Sequence, residues 1–297
     1  MDQTKDKCQE TAELQRIGVV GAGVMGTGVV QSLAEAGFEV VLLDLSEATL
    51  ERARCEIRDG LRLYRMLNRG SAREDLVTVV ARIHLTTDQR HFENMDYVIE
   101  NIIEKPEAKR GVYEWLDRRC PPHCVFAANT SAISITRIGG WTMRPAQVIG
   151  THFMNPVPMK DTVEVIRGLR TAPQVVALTE ALLARMGKKG IVVNDAPGFV
   201  SNRVLMLTIN EAINLVEERV GTTEQVDEIF RSCFGHKMGP LETADLIGLD
   251  TILFSIEVLY ESFGDSKYRP SQLLKRMVDA GLHGQKTGKG FYQHEQH

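Results

Sequence analysis

The hydrophobic pattern in the first part of the chain alternates between short apolar runs and segments of helical period. An apolar run over 17–20 is followed by a glycine-rich turn over 21–26 and by a helix-period segment that ends at Gly37. A second apolar run, Glu39–Leu43, ends at Asp44. Short apolar runs bounded by turn residues are typical of buried strands. The pattern therefore predicts a strand, a tight turn, a helix and a second strand.

The same alternation continues to about residue 193 and then stops. We predict six further strands, at 82–86, 97–100, 125–128, 148–152, 163–166 and 190–193. Helical stretches at 46–67, 106–118 and 173–187 lie between them, as in a parallel sheet covered by helices on both faces. Only helices are predicted beyond, at 199–220, 223–234, 241–246, 251–263 and 271–279. The sequence thus indicates an α/β domain over 1–195, with 1–14 a loose leader, and an all-helical domain over 196–297.

The helix predicted at 199–220 is apolar on more than one face. A helix of this kind is buried on several sides. We therefore expect the helical domain to contribute to a homodimer interface as well as to its own core.

The glycine turn has the spacing that binds a dinucleotide. Gly21 allows the sharp turn, Gly23 lets the backbone approach a pyrophosphate, and Gly26 lets the helix pack closely. The helix N-terminus, with Val24 and Met25, then faces the phosphates. A glycine turn alone can be purely structural, but here the flanking strands and the helix agree with the motif. The α/β domain is thus predicted to be a Rossmann-type doubly wound sheet.

Asp44 ends the second predicted strand, where a carboxylate can accept hydrogen bonds from the ribose hydroxyls of a dinucleotide. It would repel a 2′-phosphate, and no arginine immediately follows it. The sequence therefore favours NAD over NADP as the cofactor.

Composition narrows the function classes. The chain has 297 residues and a formal net charge of −4, which gives no general attraction to nucleic acid or to an anionic membrane. No apolar run approaches the ~20 residues of a membrane span, and the polar N-terminus lacks a signal sequence, so we expect a cytoplasmic protein. The cluster Cys120-Pro-Pro-His-Cys124 has no second pair of ligands of similar spacing, so it predicts a bent loop and no metal site.

His152 is the first candidate for chemistry. It lies at the end of the strand predicted at 148–152, and ligands of open parallel sheets bind at that edge. A histidine can exchange protons near neutral pH, and Glu164 in the next strand could hold its second nitrogen. A lone histidine is more often structural, but this context favours an acid–base pair. Ser131 and Asn202 could each donate a hydrogen bond to a substrate oxygen, although such residues often only cap turns and helices.

Arginines follow one face of the helix predicted at 46–67. They are Arg54, Arg58, Arg62, Arg65 and Arg69. The stripe is either a solvated charged face or a docking site for a phosphate or an acidic partner, because guanidinium groups match phosphate oxygens.

From residue 16 to residue 292 the chain resembles the 3-hydroxyacyl-CoA dehydrogenase family. The resemblance rests on the segment 16–44 and on the following motifs: VIENIIEKPEAK, ANTSAISIT, GTHFMNPVP, VEVIRG, NDAPGFVSNR, MGPLETADLIGLDT and GQKTGKGFY.

The resemblance implies roles for the candidate residues. His152 would be the base, Glu164 its partner, and Ser131 and Asn202 the groups around the 3-oxygen and the thioester carbonyl of a substrate. Three further residues would lie near the cofactor, namely Glu104, Lys109 and Asn129. The helical domain would be the dimerisation domain.

Two departures from the family pattern bear on the substrate. Asp161 and Thr162 stand where Lys and Leu are usual, and polar groups there would disfavour a plain fatty acyl chain unless they point to solvent. The helix after Asp44 carries arginines where CoA-using relatives carry lysines.

These departures favour an acyl-carrier-protein-bound group, such as glyceryl, in polyketide extender-unit (hydroxymalonyl or methoxymalonyl) biosynthesis. The alternatives are a 3-hydroxybutyryl- or other 3-hydroxyacyl-CoA dehydrogenase, a dehydrogenase of free hydroxy acids, and a non-catalytic NAD-binding structural protein.

Overall fold

The computed structural model describes residues 14–67 and 74–295, and it divides the chain into two compact units between Asp195 and Ala196. Except for Leu14, the predicted N-terminal leader lies outside the described residues. The same is true of Arg69 of the arginine stripe.

The first unit is built on an eight-stranded sheet with the order β3-β2-β1-β4-β5-β6-β7-β8. The strands are β1 Arg16–Val20, β2 Glu39–Leu43, β3 Ile83–Thr86, β4 Tyr97–Glu100, β5 Val125–Ala128, β6 Val148–His152, β7 Thr162–Arg167 and β8 Lys189–Asn194. The order steps outward on both sides of β1, as in a doubly wound sheet. The predicted Rossmann-type fold is confirmed.

Helices cover this sheet. In the described part of the first unit they are α1 Val24–Glu35, α2 Glu47–Leu67, α3 Leu76–Ala81, α4 Pro106–Arg119, α5 Ile135–Gly139 and α6 Pro173–Arg185. The apolar side chains of α1, α2 and α6 pack with those of the strands in one buried cluster. Because such strands are buried on both faces, they appear in the sequence as continuous apolar runs rather than alternating ones.

The pairing of β6 with β7 departs from the predicted parallel sheet. These two strands are antiparallel, whereas the other neighbouring pairs are parallel. A parallel return needs a crossover of about a dozen residues or more. The connection over 153–161 is shorter than that, so the chain reverses direction and β7 runs back alongside β6.

The second unit is helical over its described residues. Its helices are α7 Ser201–Glu217, α8 Thr223–Phe234, α9 Pro240–Ile247, α10 Leu249–Phe263 and α11 Gln272–Asp279. Asp245 of α9, 1% exposed, holds the chain that follows α11. Its carboxylate accepts hydrogen bonds from the backbone N–H groups of Phe291 and Tyr292, both at 2.9 Å. This buried carboxylate fixes the GKGFY motif to the core of the unit.

Across the described ranges, no helix is both long enough and apolar enough to cross a membrane. Within the same ranges, no group of three or more His, Cys, Asp or Glu side chains is arranged to hold a metal ion.

Candidate active site

The glycine turn between β1 and α1 combines a left-handed residue, a close packing contact and an open space. Gly21 has φ of 97°, a conformation that favours glycine, and its N–H donates to the carbonyl of Leu43 at 2.8 Å. A Cβ on Gly26 would overlap the carbonyl oxygen of Gly21. In contrast, a Cβ on Gly23 would have no atom of the described chain within 4 Å. Gly23 therefore leaves room beside the α1 N-terminus.

Asp44 is fixed next to this turn. One carboxylate oxygen accepts the backbone N–H of Ala22 at 2.9 Å, and the other accepts that of Ser46 at 3.1 Å. Val24, the first residue of α1, is 68% exposed, and Met25 packs against the core of the first unit. The open space, the helix N-terminus and the acidic residue are the features that a dinucleotide site requires, so these residues fit NAD.

The two glycines allow a matched pair of tests. Gly26→Ala is expected to lower the free energy of unfolding by about 1–3 kcal/mol, because the new methyl group overlaps the turn. Gly23→Ala is expected to change it by less than about 0.5 kcal/mol, because nothing contacts the new atom. NAD affinity should nevertheless fall about tenfold or more in Gly23→Ala, since the methyl group fills the space for the pyrophosphate. Urea unfolding and calorimetric titration with NAD measure both effects. Wild-type NAD affinity in Gly23→Ala would contradict the assignment.

His152 lies at the end of β6 with a partner on each ring nitrogen. Its Nδ1 is 3.2 Å from Oε2 of Glu164, and its Nε2 is 3.1 Å from Oγ of Ser131. His152 and Glu164 are 6% and 7% exposed. An ionised carboxylate only accepts hydrogen bonds, so Glu164 places the proton of a neutral imidazole on Nδ1. Nε2 is then the acceptor that faces the Ser131 hydroxyl.

The antiparallel pairing explains why these two residues meet. In the register of β6 with β7, His152 lies directly opposite Glu164. Side chains that are directly opposite each other on adjacent antiparallel strands lie side by side on the same face of the sheet. The sheet backbone thus holds the carboxylate against the imidazole.

Ser131 lies in a loop that is organised around Glu104. One oxygen of Glu104 accepts the Thr130 hydroxyl and the backbone N–H groups of Ser131 and Ala132, both at 3.1 Å. The N–H of Ile133 reaches the same oxygen at 3.4 Å. Consecutive N–H groups that converge on one carboxylate oxygen fix the loop backbone. Glu104, predicted to lie near the cofactor, therefore positions the loop that carries Ser131.

Lys109 lies beneath this loop and is 0% exposed. Its Nζ is 2.8 Å from both oxygens of Glu100 and 3.5 Å from Oε2 of Glu104. Tyr113 donates its hydroxyl to Glu100 at 3.2 Å. Burial raises the pKa of Glu100, and the Lys109 ammonium opposes that rise. Lys109 is fully buried and supports the loop from below through Glu104, and its place near the cofactor stays a prediction.

Asn129 joins three strand ends. Its amide nitrogen donates to Oδ1 of Asn101 at 2.7 Å, and its Oδ1 accepts the backbone N–H of Phe153 at 3.2 Å. These residues follow β5, β4 and β6, so Asn129 holds the carboxyl edge of the sheet between the glycine turn and His152. Glu100, Tyr113 and Asn101 were not predicted as site residues. The VIENIIEKPEAK motif contains Glu100, Asn101 and Lys109, but nothing in the sequence shows that Tyr113 and Asn129 also contact this group.

Three other predicted site residues are Asn202, Asp161 and Thr162. Asn202 lies in the first turn of α7, in the second unit, and its role at the substrate stays a prediction. Asp161 and Thr162 are both exposed to solvent. Polar groups were expected to disfavour a plain fatty acyl chain only if they did not point to solvent, so these two residues are compatible with an apolar acyl chain.

The arginine stripe of α2 pairs largely with acidic side chains. Arg54 and Arg62 are exposed and pair within the helix with Glu51 and Asp59, at 3.2 and 3.4 Å. Exposed pairs of this kind are typical of a solvated charged face. Arg65 is half-buried and binds Glu35 of α1 at 2.8 Å, which attaches α2 to α1. In the described part of the chain only Arg58 of the stripe has no ion pair.

Comparison with known proteins agrees with this geometry. Residues 16–196 match the NAD binding domain of 3-hydroxyacyl-CoA dehydrogenases, and residues 198–294 match their C-terminal domain. A probable 3-hydroxybutyryl-CoA dehydrogenase of Bacillus subtilis is 46% identical over 96% of this chain and 99% of its own length. Another such protein, from Deinococcus radiodurans, is 44% identical over 94% and 100%. The crystal structure of (S)-3-hydroxybutyryl-CoA dehydrogenase from Ralstonia eutropha is 40% identical, covers 95% of this chain and 100% of its own, and superposes with a TM-score of 0.90.

The cofactor prediction is confirmed by the match to an NAD binding domain over the segment that contains the glycine turn and Asp44. Both domains of one family match in order along nearly the whole chain. The chain is accordingly an NAD-dependent oxidoreductase acting on CH–OH groups, and it belongs to the 3-hydroxyacyl-CoA dehydrogenase family.

Proposed function

We propose that this enzyme oxidises the 3-hydroxyl group of a short 3-hydroxyacyl-CoA, of the 3-hydroxybutyryl type, with NAD. The observation that carries the proposal is the buried arrangement of Ser131, His152 and Glu164, in which one nitrogen of the imidazole is held by a carboxylate. Support for the substrate comes from full-length relatives that are named for 3-hydroxybutyryl-CoA.

His152 takes the proton of the substrate hydroxyl on Nε2. The imidazole becomes an imidazolium, and Glu164 stabilises the new charge through Nδ1. Ser131, whose hydroxyl now contacts Nε2, donates to the substrate 3-oxygen and keeps that oxygen beside the base. NAD, when bound, accepts the hydride that leaves C3. Asn202 is proposed to polarise the thioester carbonyl.

Glu104 and Lys109 act on the loop. The carboxylate of Glu104 holds the backbone of residues 131–133, and Lys109 holds Glu104 and the carbonyl of Asn129 from below. These contacts fix Ser131 in place before the substrate binds, so no reorganisation is needed during proton transfer.

The carrier-protein substrate receives no support from the described residues or the relatives. It depended on Asp161 and Thr162, which are exposed, and on the arginine stripe, most of which pairs with carboxylates. The relatives are named for CoA thioesters. A non-catalytic role is also disfavoured, because the base, its partner and the loop around Ser131 are all in place.

The homodimer stays a proposal. The second unit exposes large apolar side chains, among them Val220 at 69% and Phe234 at 63%. A contact with a second copy through this unit would remove such surface from water.

A panel of thioesters tests the proposed substrate. NADH absorbance should report the highest kcat/KM with 3-hydroxybutyryl-CoA, and lower values with the free acid and with a glyceryl group on an acyl carrier protein. The expectation follows because the full-length relatives are named for 3-hydroxybutyryl-CoA, and because Asp161 and Thr162 are exposed.

Turnover of the carrier-bound group without turnover of the CoA ester would overturn the proposal in favour of the extender-unit function. Activity on the free acid alone would indicate a hydroxy-acid dehydrogenase.

A further inference from the structure

A cavity of about 370 Å³ lies in the first unit between α1, the C-terminal end of α2 and the turn from α6 to β8. This volume is at the lower end of the range for small-molecule sites. Its floor and walls include Gln31, Tyr64, Asp161, Arg185 and Lys188. The glycine turn and the residues Ser131, His152 and Glu164 are not among its lining residues.

Lys188 is the buried cation of this cavity, at 7% exposure. Its ammonium donates to the carbonyls of Val157 at 2.7 Å and Lys160 at 2.8 Å. A lysine ammonium has three donors, so one N–H remains for another acceptor. Burial lowers the pKa of Lys188, an effect that the charge of Asp161 partly offsets. An anion beside the ammonium would compensate for the water that burial has removed.

Gln31 is the second group with unused hydrogen-bonding capacity. It is 5% exposed, and its side-chain amide forms no hydrogen bond with any residue in the described ranges. A Cβ on Gly60 of α2 would lie 2.5 Å from its Oε1, which shows that the amide lies close against α2. Because Gln31 lines the cavity, its amide is available to a ligand that enters there.

The other charged groups of the cavity already have partners or lie at its rim. Arg185 donates to the backbone carbonyls of Leu14, Ala36 and Gly37, at 3.1–3.3 Å. Glu35 is paired with Arg65. Asp161 is exposed and lies at the rim. The interior thus offers one ammonium N–H and one amide NH₂, while the two carboxylates would repel a doubly charged anion such as phosphate.

We propose that this cavity is a second ligand site, which binds a small monocarboxylate through the ammonium of Lys188 and the amide of Gln31. The carboxylate has two oxygens, one for each donor. Because the same ammonium holds Val157 and Lys160, the ligand is connected to the segment that joins the strands of His152 and Glu164.

Isothermal titration calorimetry of the full-length chain with sodium acetate and sodium propionate, at constant ionic strength, tests the proposal. These probes lack the 3-hydroxyl group that the proposed reaction requires, so the result does not depend on the proposed function. We expect saturable binding with millimolar affinity and a matching rise in the melting temperature. Lys188→Met and Gln31→Ala are each expected to weaken binding about tenfold, because each removes one charge-assisted hydrogen bond.

Three controls complete the test. Lys189→Met removes an exposed lysine that does not line the cavity, and it should leave the affinity unchanged. Asp161→Asn should strengthen binding, because it removes a repulsive charge from the rim. Lys188 also holds the 153–161 connection, so weaker binding in Lys188→Met could come from a change in the fold. Gln31 does not hold that connection, so weaker binding in Gln31→Ala reports on the ligand contact itself. Absence of saturable binding, wild-type affinity in both Lys188→Met and Gln31→Ala, or tighter binding of phosphate than of propionate would each overturn the proposal.

Discussion

Replacing His152 with alanine is expected to lower turnover by about 10² to 10⁴, the usual contribution of a positioned general base. The substrate hydroxyl would lose its proton acceptor, because Glu164 acts only through the imidazole and the Ser131 hydroxyl is proposed to be a hydrogen-bond donor to that oxygen. NAD binding should persist, since the glycine turn and Asp44 do not contact His152. Steady-state NADH formation and calorimetric titration with NAD measure the two quantities separately.

Two further variants sharpen this test. Glu164→Gln keeps a hydrogen-bonding side chain opposite His152 but removes the negative charge, so its loss of turnover should be smaller than that of His152→Ala. His84→Ala removes an exposed histidine whose ring is 4.4 Å from that of His91, and it should retain wild-type turnover. Near-normal turnover in His152→Ala would remove this residue from the mechanism.

Replacing Lys109 with methionine is expected to lower the free energy of unfolding by about 3–5 kcal/mol, the usual effect of removing one partner of a buried ion pair. The carboxylate of Glu100, 0% exposed, would keep only neutral donors, namely Tyr113 and the backbone N–H of Ile102. Turnover should fall as well, because Glu104 loses its cation and the loop of Ser131 loses support. Urea unfolding followed by circular dichroism measures the change in stability.

The pH dependence of this loss has a defined sign. Burial raises the pKa of Glu100, and the opposing charge of Lys109 is absent in the variant. A carboxyl group with a higher pKa in the folded chain than in the unfolded chain binds its proton preferentially when folded. Stability is therefore lost as the pH rises from the pKa of the unfolded chain through the higher pKa of the folded chain. Lys109→Met should accordingly be less destabilised at acidic pH than at alkaline pH.

Lys105→Met is the matched control, because Lys105 is exposed on the same segment. Its effect should stay within about 0.5 kcal/mol. The double variant Lys109→Met with Glu100→Gln should recover part of the loss, since no buried charge is left unpaired. A Lys109→Met protein as stable as Lys105→Met would show that the pair is not needed for folding.

The central strands of the first unit could be predicted in detail because they are buried on both faces. The continuous apolar runs at Tyr97–Glu100, Val125–Ala128 and Val148–His152 begin and end where the structure has β4, β5 and β6. The glycine turn was also readable, because a left-handed residue and a close helix contact each restrict the residue type to glycine.

Strand direction and the partners of charged residues could not be predicted in the same way. A strand has the same hydrophobic pattern in either direction, so the antiparallel return of β7 depended on the length of the 153–161 connection. Helical periodicity placed the arginines on one face of α2, but it could not show that Arg65 contacts Glu35 of α1. The sequence likewise did not show that Lys109 is buried against Glu100.

The antiparallel pairing of β6 with β7 fixes the acid–base pair independently of the segment that joins the two strands. The distance between His152 and Glu164 is set by hydrogen bonds of the backbone, which do not depend on side-chain identity. The 153–161 connection can therefore change in composition while both of its ends remain anchored in the sheet. Asp161 and Thr162, where this chain departs from the usual family pattern, lie at the end of that connection and at its junction with β7. Substitutions in this connection can therefore accumulate without separating His152 from Glu164.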